Sequence, residues 1–210
     1  MARDDEQVES SAGPGVLVLV AGPSGAGKDT LIGAARAQFH GDERFAFPRR
    51  VVTRASDVSE QVREVSLSVF EDIEVRGGFL LAWWAHGLAY GVPAEARDHL
   101  SDGRVVVVNV SRRIVSTAFA VWPRSHAVYV HVAQDILQAR LQRRGRETAE
   151  QIGARLSRAE TAAGLPRDAP EGATIIDNSG PMATATRAFI EVLEAQADRA
   201  QRSMRRKGAA

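Results

Sequence analysis

The sequence predicts an α/β fold in which helices flank a parallel five-stranded sheet, and three observations lead to that prediction. Short apolar runs alternate with amphipathic helical patterns, and strands that alternate with helices form parallel sheets. The first run, from Val16 to Val20, is apolar at every position, which is typical of a strand covered on both faces. A glycine-rich turn and a helix start follow it, and this succession is the local context of a phosphate-binding loop.

The turn after the first strand reads Gly22-Pro23-Ser24-Gly25-Ala26-Gly27-Lys28-Asp29-Thr30. Its glycines let several backbone N–H groups point at one anion, and the positive end of the next helix strengthens that field. Lys28 would place an ammonium group against the β- and γ-phosphates of ATP. A Ser or Thr that binds Mg²⁺ usually follows this lysine; here Asp29 takes that position and Thr30 follows it, and we expect Asp29 or Thr30 to hold Mg²⁺, directly or through water. The alternative is a glycine-rich turn that only caps a helix.

The bulk composition is that of one globular domain. The chain has 210 residues, of which 44% are hydrophobic and 25% charged, and its net charge of +1 gives no case for nucleic acid as the main partner. It has no cysteine, which excludes a disulfide framework and a thiolate metal site. No apolar run is long enough to cross a membrane, and residues 1–14 are polar and acidic. We expect a disordered leader followed by a cytoplasmic enzyme with no membrane partner.

The remaining elements follow in order along the chain. After a first helix over 28–38, short strand pieces are predicted at 45–47 and 51–52. The patterns then predict a helix that Pro93 begins and that ends near 103, a strand at 105–110 and a helix at 112–121. A strand at 128–132 follows, then a helix from Asp135 as N-cap to Arg144 and a helix at 149–160. The last elements are a strand at 174–176 and a long helix from Met182 that frays in the basic tail at 202–210.

The segment 53–92 is more polar than its surroundings and is predicted to form a small lobe inserted into the sheet-and-helix core. It holds a short helical stretch that begins near Ser68, and further on the neighbouring pair Trp83 and Trp84. Neighbouring side chains on a strand face opposite ways, so at most one of the two tryptophans points into a site. Packing in the core is the expected role of the pair, rather than a platform for stacking a base.

Arginines crowd one helix end. Arg140 and Arg144 share a face at i, i+4, where like charges repel each other unless an anion lies between them. A solvated basic helix end is the ordinary explanation. Beside a phosphate loop, the cluster instead indicates a lid over residues 140–155 whose guanidinium groups contact the transferring phosphoryl group. The predicted lid arginines are Arg140, Arg144, Arg146 and Arg155.

The order of the motifs resembles that of guanylate kinases over residues 16–193. The matching stretches are the loop at 22–28, Val52-Thr53-Arg54, Tyr90-Gly91, Arg140 to Gly145, Arg155-Leu156 and Asp177-Asn178. The resemblance implies a P-loop NTPase fold with a single kinase domain at 15–201, whose inserted lobe binds the phosphate acceptor. It also implies that Arg140, Arg144 and Arg155 contact the phosphates, and that Asn178 lies beside the adenine.

The acceptor lobe departs from guanylate kinases where specificity resides. Asp57 stands where that family has an arginine, the stretch 61–67 has no tyrosine, and Asn109 replaces an acidic residue. The chain is more similar to the ribose 1,5-bisphosphate phosphokinases of bacterial phosphonate utilisation. The shared features are Asp29 after the loop lysine, the stretch from Trp83 to Gly91, Asn109-Val110-Ser111-Arg112, and Arg143 to Glu147. The histidine of an acidic-His pair common in that family is missing, since the two positions of the pair hold Glu60 and Val62.

This resemblance implies transfer of the γ-phosphoryl group of ATP, with Mg²⁺, to the 1-phosphate of α-D-ribose 1,5-bisphosphate, giving 5-phospho-α-D-ribose 1-diphosphate and ADP. The partner is then a small phosphorylated sugar, and a homodimer is possible. Lys28 and the four lid arginines would carry the catalysis, while residues 22–30 and Asn178 would bind the nucleotide. The acceptor-side candidates are Arg50, Arg54, Tyr90, Asn109, Ser111 and Arg112.

Three other functions remain open at this point. The chain would be a guanylate or other nucleoside monophosphate kinase if GMP were the preferred acceptor. It would be a non-catalytic scaffold of guanylate-kinase type if it did not bind ATP, although the retained Lys28, glycines and lid arginines argue against that. A nucleic-acid-binding role is disfavoured by the near-zero net charge.

Overall fold

A computed structural model of the chain describes residues 13–53, 62–85, 87–144, 153 and 169–207. In chain order its elements are β1 (Val16–Ala21), α1 (Lys28–Gln38), β2 (Phe45–Ala46), β3 (Arg50–Val52), β4 (Val62–Glu64), α2 (Leu67–Val75), β5 (Phe79–Ala85), β6 (Leu88–Pro93), α3 (Ala96–Ser101), β7 (Val105–Asn109), a 3-10 turn (Arg112–Ile114), α4 (Val115–Val121), β8 (Ser125–His131), α5 (Gln134–Arg144), β9 (Thr174–Asp177) and α6 (Met182–Lys207).

The central sheet has five parallel strands in the order β2-β7-β1-β8-β9, which confirms the predicted architecture. β1 lies in the middle, and none of its six residues is accessible to solvent. The absence of any polar face in this strand therefore has a direct cause, because both faces of the sheet are covered.

Each face of the central sheet packs against its own apolar core. Alternate residues of β1 divide between the two cores, because successive side chains of a strand point to opposite faces. Val16, Val18 and Val20 pack with side chains of α1, α5 and α6. Leu17 and Leu19 pack on the other side with side chains of α3, α4 and β5. The strand that precedes the glycine-rich turn is thus held from both sides.

The polar segment in the middle of the chain forms a second sheet, in the order β4-β3-β6-β5. β3 pairs with β4 in parallel, while the β3–β6 and β5–β6 pairs are antiparallel. Helix α2 begins after Ser66, whose side chain accepts a hydrogen bond from the Val69 N–H, and it packs through the fully buried Phe70, which stacks on Phe79 with ring centres 4.6 Å apart. The sheet begins at Arg50, slightly before the predicted lobe boundary.

Three predicted boundaries differ from the structure. Pro93 ends β6, opposite Phe79, instead of opening a helix, and α3 begins three residues later. Asp135 lies in the first turn of α5, which begins at Gln134, and is not its N-cap. Helix α6 is regular through Lys207, because Ala200 is buried and Met204 lies against Gly103, so residues 202–207 are not frayed.

Residues 1–12 of the predicted leader at 1–14 lie outside the described residues. So do the predicted lid beyond Arg144 and the predicted helix at 149–160, apart from residue 153. Across the described ranges, no helix combines the length and the apolar character that spanning a bilayer requires.

The covering of one sheet face by α6 can be tested by substituting Leu193, which is fully buried in the core beneath that helix. We expect Leu193→Ala to lower the free energy of unfolding by about 2–5 kcal/mol, because it removes buried methyl groups and leaves a cavity. Urea unfolding of the purified protein measures the change. The control is Glu191→Ala on the exposed side of the same helix; equal losses in the two variants would contradict this packing.

Candidate active site

The glycine-rich turn between β1 and α1 is shaped to bind an anion. Gly27 has a left-handed backbone with φ of 89°, and no side chain caps the helix that it starts. The first N–H groups of α1 are therefore left for a ligand. Gly22 also has a positive φ, and a Cβ there would lie 2.6 Å from the Val130 carbonyl oxygen. Both positions require glycine, as the sequence pattern predicted.

The Lys28 side chain curls back into the turn. Its Nζ donates hydrogen bonds to the carbonyl oxygens of Gly22 and Pro23, each at 2.9 Å. The ammonium group therefore lies inside the curve formed by the loop. A phosphate bound by the loop's N–H groups would meet this positive charge at short range.

Asn178 supports the loop from beneath. Its side chain is fully buried, and its Nδ2 donates to the Ala26 carbonyl oxygen at 2.7 Å. A Cβ on Gly27 would lie 2.5 Å from that nitrogen, so the contact gives a second reason for glycine at this position. The expected place of Asn178 beside the adenine stays a prediction; what the structure shows is that its amide group holds the loop.

The turn that follows β9 is closed by its own side chains. The Asp177 Oδ1 accepts hydrogen bonds from the Ser179 N–H at 2.9 Å and from the Ser179 hydroxyl at 2.6 Å. These two bonds hold the pKa of Asp177 below its ordinary value. The Ser179 Oγ also accepts from the Ala133 N–H at 2.8 Å, and the Asn178 N–H donates to the His131 carbonyl. The turn therefore anchors the start of α5 next to the loop.

Arg140 brings the predicted lid helix to this turn. Its Nη2 donates to the Asn178 carbonyl oxygen at 2.9 Å, and its Nη1 is buried with no hydrogen-bond partner among the described residues. The Arg144 backbone is helical in α5. Arg146 and Arg155 lie outside the described residues, so their contacts with phosphate stay predictions.

Asp29 is joined to the end of a neighbouring strand. The Asn109 Nδ2 donates to the Asp29 Oδ1 at 2.7 Å. The parallel register places Asn109 beside Val20, so the carboxyl end of β7 reaches the start of α1. The sequence interpretation put Asn109 with the acceptor and Asp29 with the metal, and it did not foresee their contact.

The oxygen ligands of Asp29 and Thr30 fit Mg²⁺, which is a hard cation. Within the described part of the chain there is no group of three or more His, Cys, Asp or Glu side chains that could hold a metal ion by itself. Magnesium sites in kinases commonly combine one or two protein oxygens with the phosphates of the substrate and water. The two residues are therefore suited to an ion that is shared with the nucleotide.

The second sheet, which forms the predicted acceptor lobe, holds a stack of three side chains. The Arg50 guanidinium lies 5.6 Å from the centre of the Tyr90 ring. That ring stacks on the Trp83 ring, with the two ring centres 5.5 Å apart. Trp83 is buried whereas Trp84 is 56% exposed, which confirms that the two tryptophans face opposite ways. The stack fixes the Tyr90 ring and places a positive charge beside it. Arg54, the remaining lobe candidate, lies outside the described residues.

Ser111 and Arg112 follow the carboxyl end of β7. The Ser111 Oγ accepts a hydrogen bond from the Arg113 N–H at 3.4 Å and so begins the 3-10 turn. Burial lowers the pKa of Arg112, and the nearby Tyr129 acts in the opposite direction. An anionic ligand in contact with this guanidinium would offset the cost of its burial.

Two supporting residues were missed by the sequence interpretation. Ser179 follows Asp177 by two positions, a spacing at which Asp side chains commonly bond to the backbone, so a local signal existed. Trp83 supports Tyr90 only because β5 and β6 pair with those residues opposite each other. No local pattern contains that register.

No family model matches the chain. The chain is 46% identical over 179 residues to the ribose 1,5-bisphosphate phosphokinase PhnN of Acidiphilium cryptum, a match that covers 85% of this chain and 92% of the relative. It is 38% identical over 186 residues to the enzyme of the same name from Agrobacterium fabrum, covering 88% of this chain and all of the relative.

Among solved structures, the guanylate kinase of Anaplasma phagocytophilum superposes with a TM-score of 0.60 at 18% identity, covering 87% of this chain and 86% of that one. At that identity the likeness concerns the fold alone, and it confirms the guanylate-kinase-like architecture. The identities to these two PhnN enzymes extend over 85–88% of the chain. The chain therefore belongs to the ribose 1,5-bisphosphate phosphokinase PhnN family.

Proposed function

We propose that this protein transfers the γ-phosphoryl group of ATP to the 1-phosphate of α-D-ribose 1,5-bisphosphate, forming 5-phospho-α-D-ribose 1-diphosphate and ADP in phosphonate catabolism. The observation that carries this proposal is the identity of 38–46% to PhnN enzymes over 85–88% of the chain. A loop with Lys28 inside its curve, next to the end of β7, is the geometry that a phosphoryl donor requires.

The reaction needs alignment and charge neutralisation more than proton transfer. An oxygen of the acceptor's 1-phosphate is already anionic, so it attacks the γ-phosphorus without a general base. The new bond joins that oxygen to the γ-phosphorus, while the bond to the β–γ bridging oxygen breaks and its electron pair leaves with ADP. Catalysis then depends on holding the two phosphates in line and stabilising charge on the transferring group.

On the donor side, the N–H groups of residues 22–28 bind the β- and γ-phosphates and Lys28 faces the transferring group. Asp29 or Thr30 would hold Mg²⁺, directly or through water, and the ion would offset the negative charge of the phosphates. Arg140 reaches the same place from α5, and its orientation is supported by the bond to the Asn178 carbonyl. Arg144, Arg146 and Arg155 complete the lid in this proposal.

On the acceptor side, Arg50, Arg54 and Arg112 supply positive charge for the sugar phosphates, and Tyr90, Asn109 and Ser111 supply hydrogen-bonding groups. The Arg50–Tyr90–Trp83 stack supports this assignment, because it fixes an aromatic ring and a guanidinium group on the same sheet. The sequence lacks several of the groups expected to recognise GMP, and a site rejects a ligand strongly when polar groups are left without partners.

An acceptor screen with ATP and Mg²⁺ tests the substrate. We expect kcat/KM for ribose 1,5-bisphosphate to exceed that for GMP by about 100-fold or more, since polar mismatches discriminate at that level. ADP release gives the rates, and direct detection of the diphosphate product confirms the chemistry. A preference for GMP would overturn the proposed substrate and leave the fold intact.

Replacement of Lys28 tests the donor site. We expect Lys28→Ala to lower kcat/KM by about 100- to 1,000-fold, the usual loss when one preorganised charge at the transferring group is removed. Lys207→Ala is the matched control, because Lys207 is the only other lysine of the chain. The melting temperatures of both variants show whether the loss of the Lys28 bonds to the loop carbonyls has destabilised the fold. An unchanged melting temperature assigns the lower rate to the chemical step. Unchanged turnover in Lys28→Ala would contradict the mechanism.

Arg140 and Arg143 lie on the same helix and provide a second matched pair. Arg140 bonds to the turn beneath the loop, whereas Arg143 is exposed. We expect Arg140→Ala to reduce kcat/KM by about 100-fold, while Arg143→Ala stays within about twofold of the wild type, because only the first would contact the transferring group. Steady-state kinetics on both variants provide the measurement. Similar losses would indicate a general effect of charge on the helix.

A further inference from the structure

We infer that Asn109 is a positioning residue for Asp29, and that this amide–carboxylate pair makes the donor site select ATP that already carries its divalent cation. The inference rests on the proposed function, since it concerns the nucleotide of that reaction. It assigns Asn109 a role on the donor side, in addition to its expected place near the acceptor.

The direction of the hydrogen bond is set by chemistry. A carboxylate only accepts hydrogen bonds, so the Asn109 amide must present its NH₂ group to the Asp29 Oδ1, 2.7 Å away. That bond holds one carboxylate oxygen and thereby orients the other. The two residues are 80 positions apart and meet because β7 runs parallel to β1 and ends beside it.

The pairing also depends on the charge of each partner. An arginine or lysine at position 109 would neutralise the carboxylate, and an acidic residue would repel it. Asn109 donates a hydrogen bond without changing the net charge. The carboxylate of Asp29 is therefore oriented by a neutral partner, in a solvent-exposed position directly after Lys28.

A carboxylate and a hydroxyl at this position act differently on the nucleotide. A hydroxyl is neutral and tolerates phosphate with or without a metal ion. The Asp29 carboxylate repels bare phosphate oxygens, but a divalent cation between the two groups turns that repulsion into attraction. Thr30 cannot take over this role from the same direction, because consecutive side chains on a helix point about 100° apart. The site should therefore discriminate between metal-bound and metal-free ATP more strongly than a hydroxyl would.

The test measures binding of a non-hydrolysable ATP analogue to the full-length protein, without acceptor, in the presence of Mg²⁺ or of a chelator. For the wild type we expect the metal complex to bind about 10- to 100-fold tighter than the free analogue, a typical coupling between two ligands. Asp29→Ser should lower this ratio about tenfold, mainly because the free analogue binds better. Asp198→Ser, an exposed position on α6, is the control and should leave the ratio unchanged.

The role of Asn109 is isolated by a double-mutant comparison. Asn109→Ala should lower the ratio about fivefold in the wild-type background and have no effect in the Asp29→Ser background, because the interaction that it removes is then already absent. A second readout is the binding of Mn²⁺ to the protein–analogue complex, measured as the decrease of the electron paramagnetic resonance signal of free Mn²⁺. Melting temperatures identify any variant that has lost its fold, and Asn109→Ser then serves as the milder replacement.

Two outcomes would overturn the inference. Equal effects of Asn109→Ala in both backgrounds would mean that Asn109 acts on the nucleotide independently of Asp29, and an unchanged ratio in both would mean that it does not act on the nucleotide at all. The assay contains no acceptor, so a GMP preference in the acceptor screen would reject the proposed substrate and leave this result standing. A wild-type protein that bound neither form of the analogue would overturn both proposals.

Discussion

The hydrogen bond from the buried Asn178 amide to the Ala26 carbonyl is the interaction on which the phosphate loop depends. When the N–H groups of a loop converge on an anion, the carbonyl groups of the same peptides point elsewhere and need donors of their own. Asn178 satisfies the carbonyl of Ala26, and Lys28 satisfies those of Gly22 and Pro23. The amide of Asn178 and the ammonium group of Lys28 therefore satisfy the loop's carbonyl groups, and the loop's N–H groups can point at a phosphate.

The same residue links the loop to α5. The backbone carbonyl of Asn178 accepts a hydrogen bond from Arg140, and its side chain bonds to the loop, so one residue contacts both elements. The Asn178 Oδ1 and the Arg140 Nη1 are buried without hydrogen-bond partners among the described residues. Such groups carry a cost until a ligand, a water molecule or a small shift satisfies them. A nucleotide that completed these bonds would stabilise the loop and α5 together.

The sequence predicted the features whose residues are close together in the chain, and it did not predict contacts between distant positions. The β1 strand, the turn and the start of α1 are continuous in the chain, so periodicity and glycine spacing predicted them correctly. The Asn109–Asp29 and Arg140–Asn178 contacts join positions 80 and 38 residues apart, and they depend on the register of strands that no local pattern contains. Pro93 was misplaced for a related reason, because a proline suits the end of a paired strand as well as a first helical turn.

The exchanges at positions 29 and 109 relative to guanylate kinases form one structural change. An acidic residue at 109 together with Asp29 would place two carboxylates at the 2.7 Å separation that the amide and the carboxylate now occupy, and one of them would have to turn away or take up a proton. With Asn109 present, Asp29 gains a donor that holds it at the phosphate loop. Under the proposed function, position 109 would also face the acceptor, where the loss of an acidic group suits a ligand with two phosphates better than one with a purine. In that proposal a single pair of residues, joined by one hydrogen bond, would adapt the donor site and the acceptor site together.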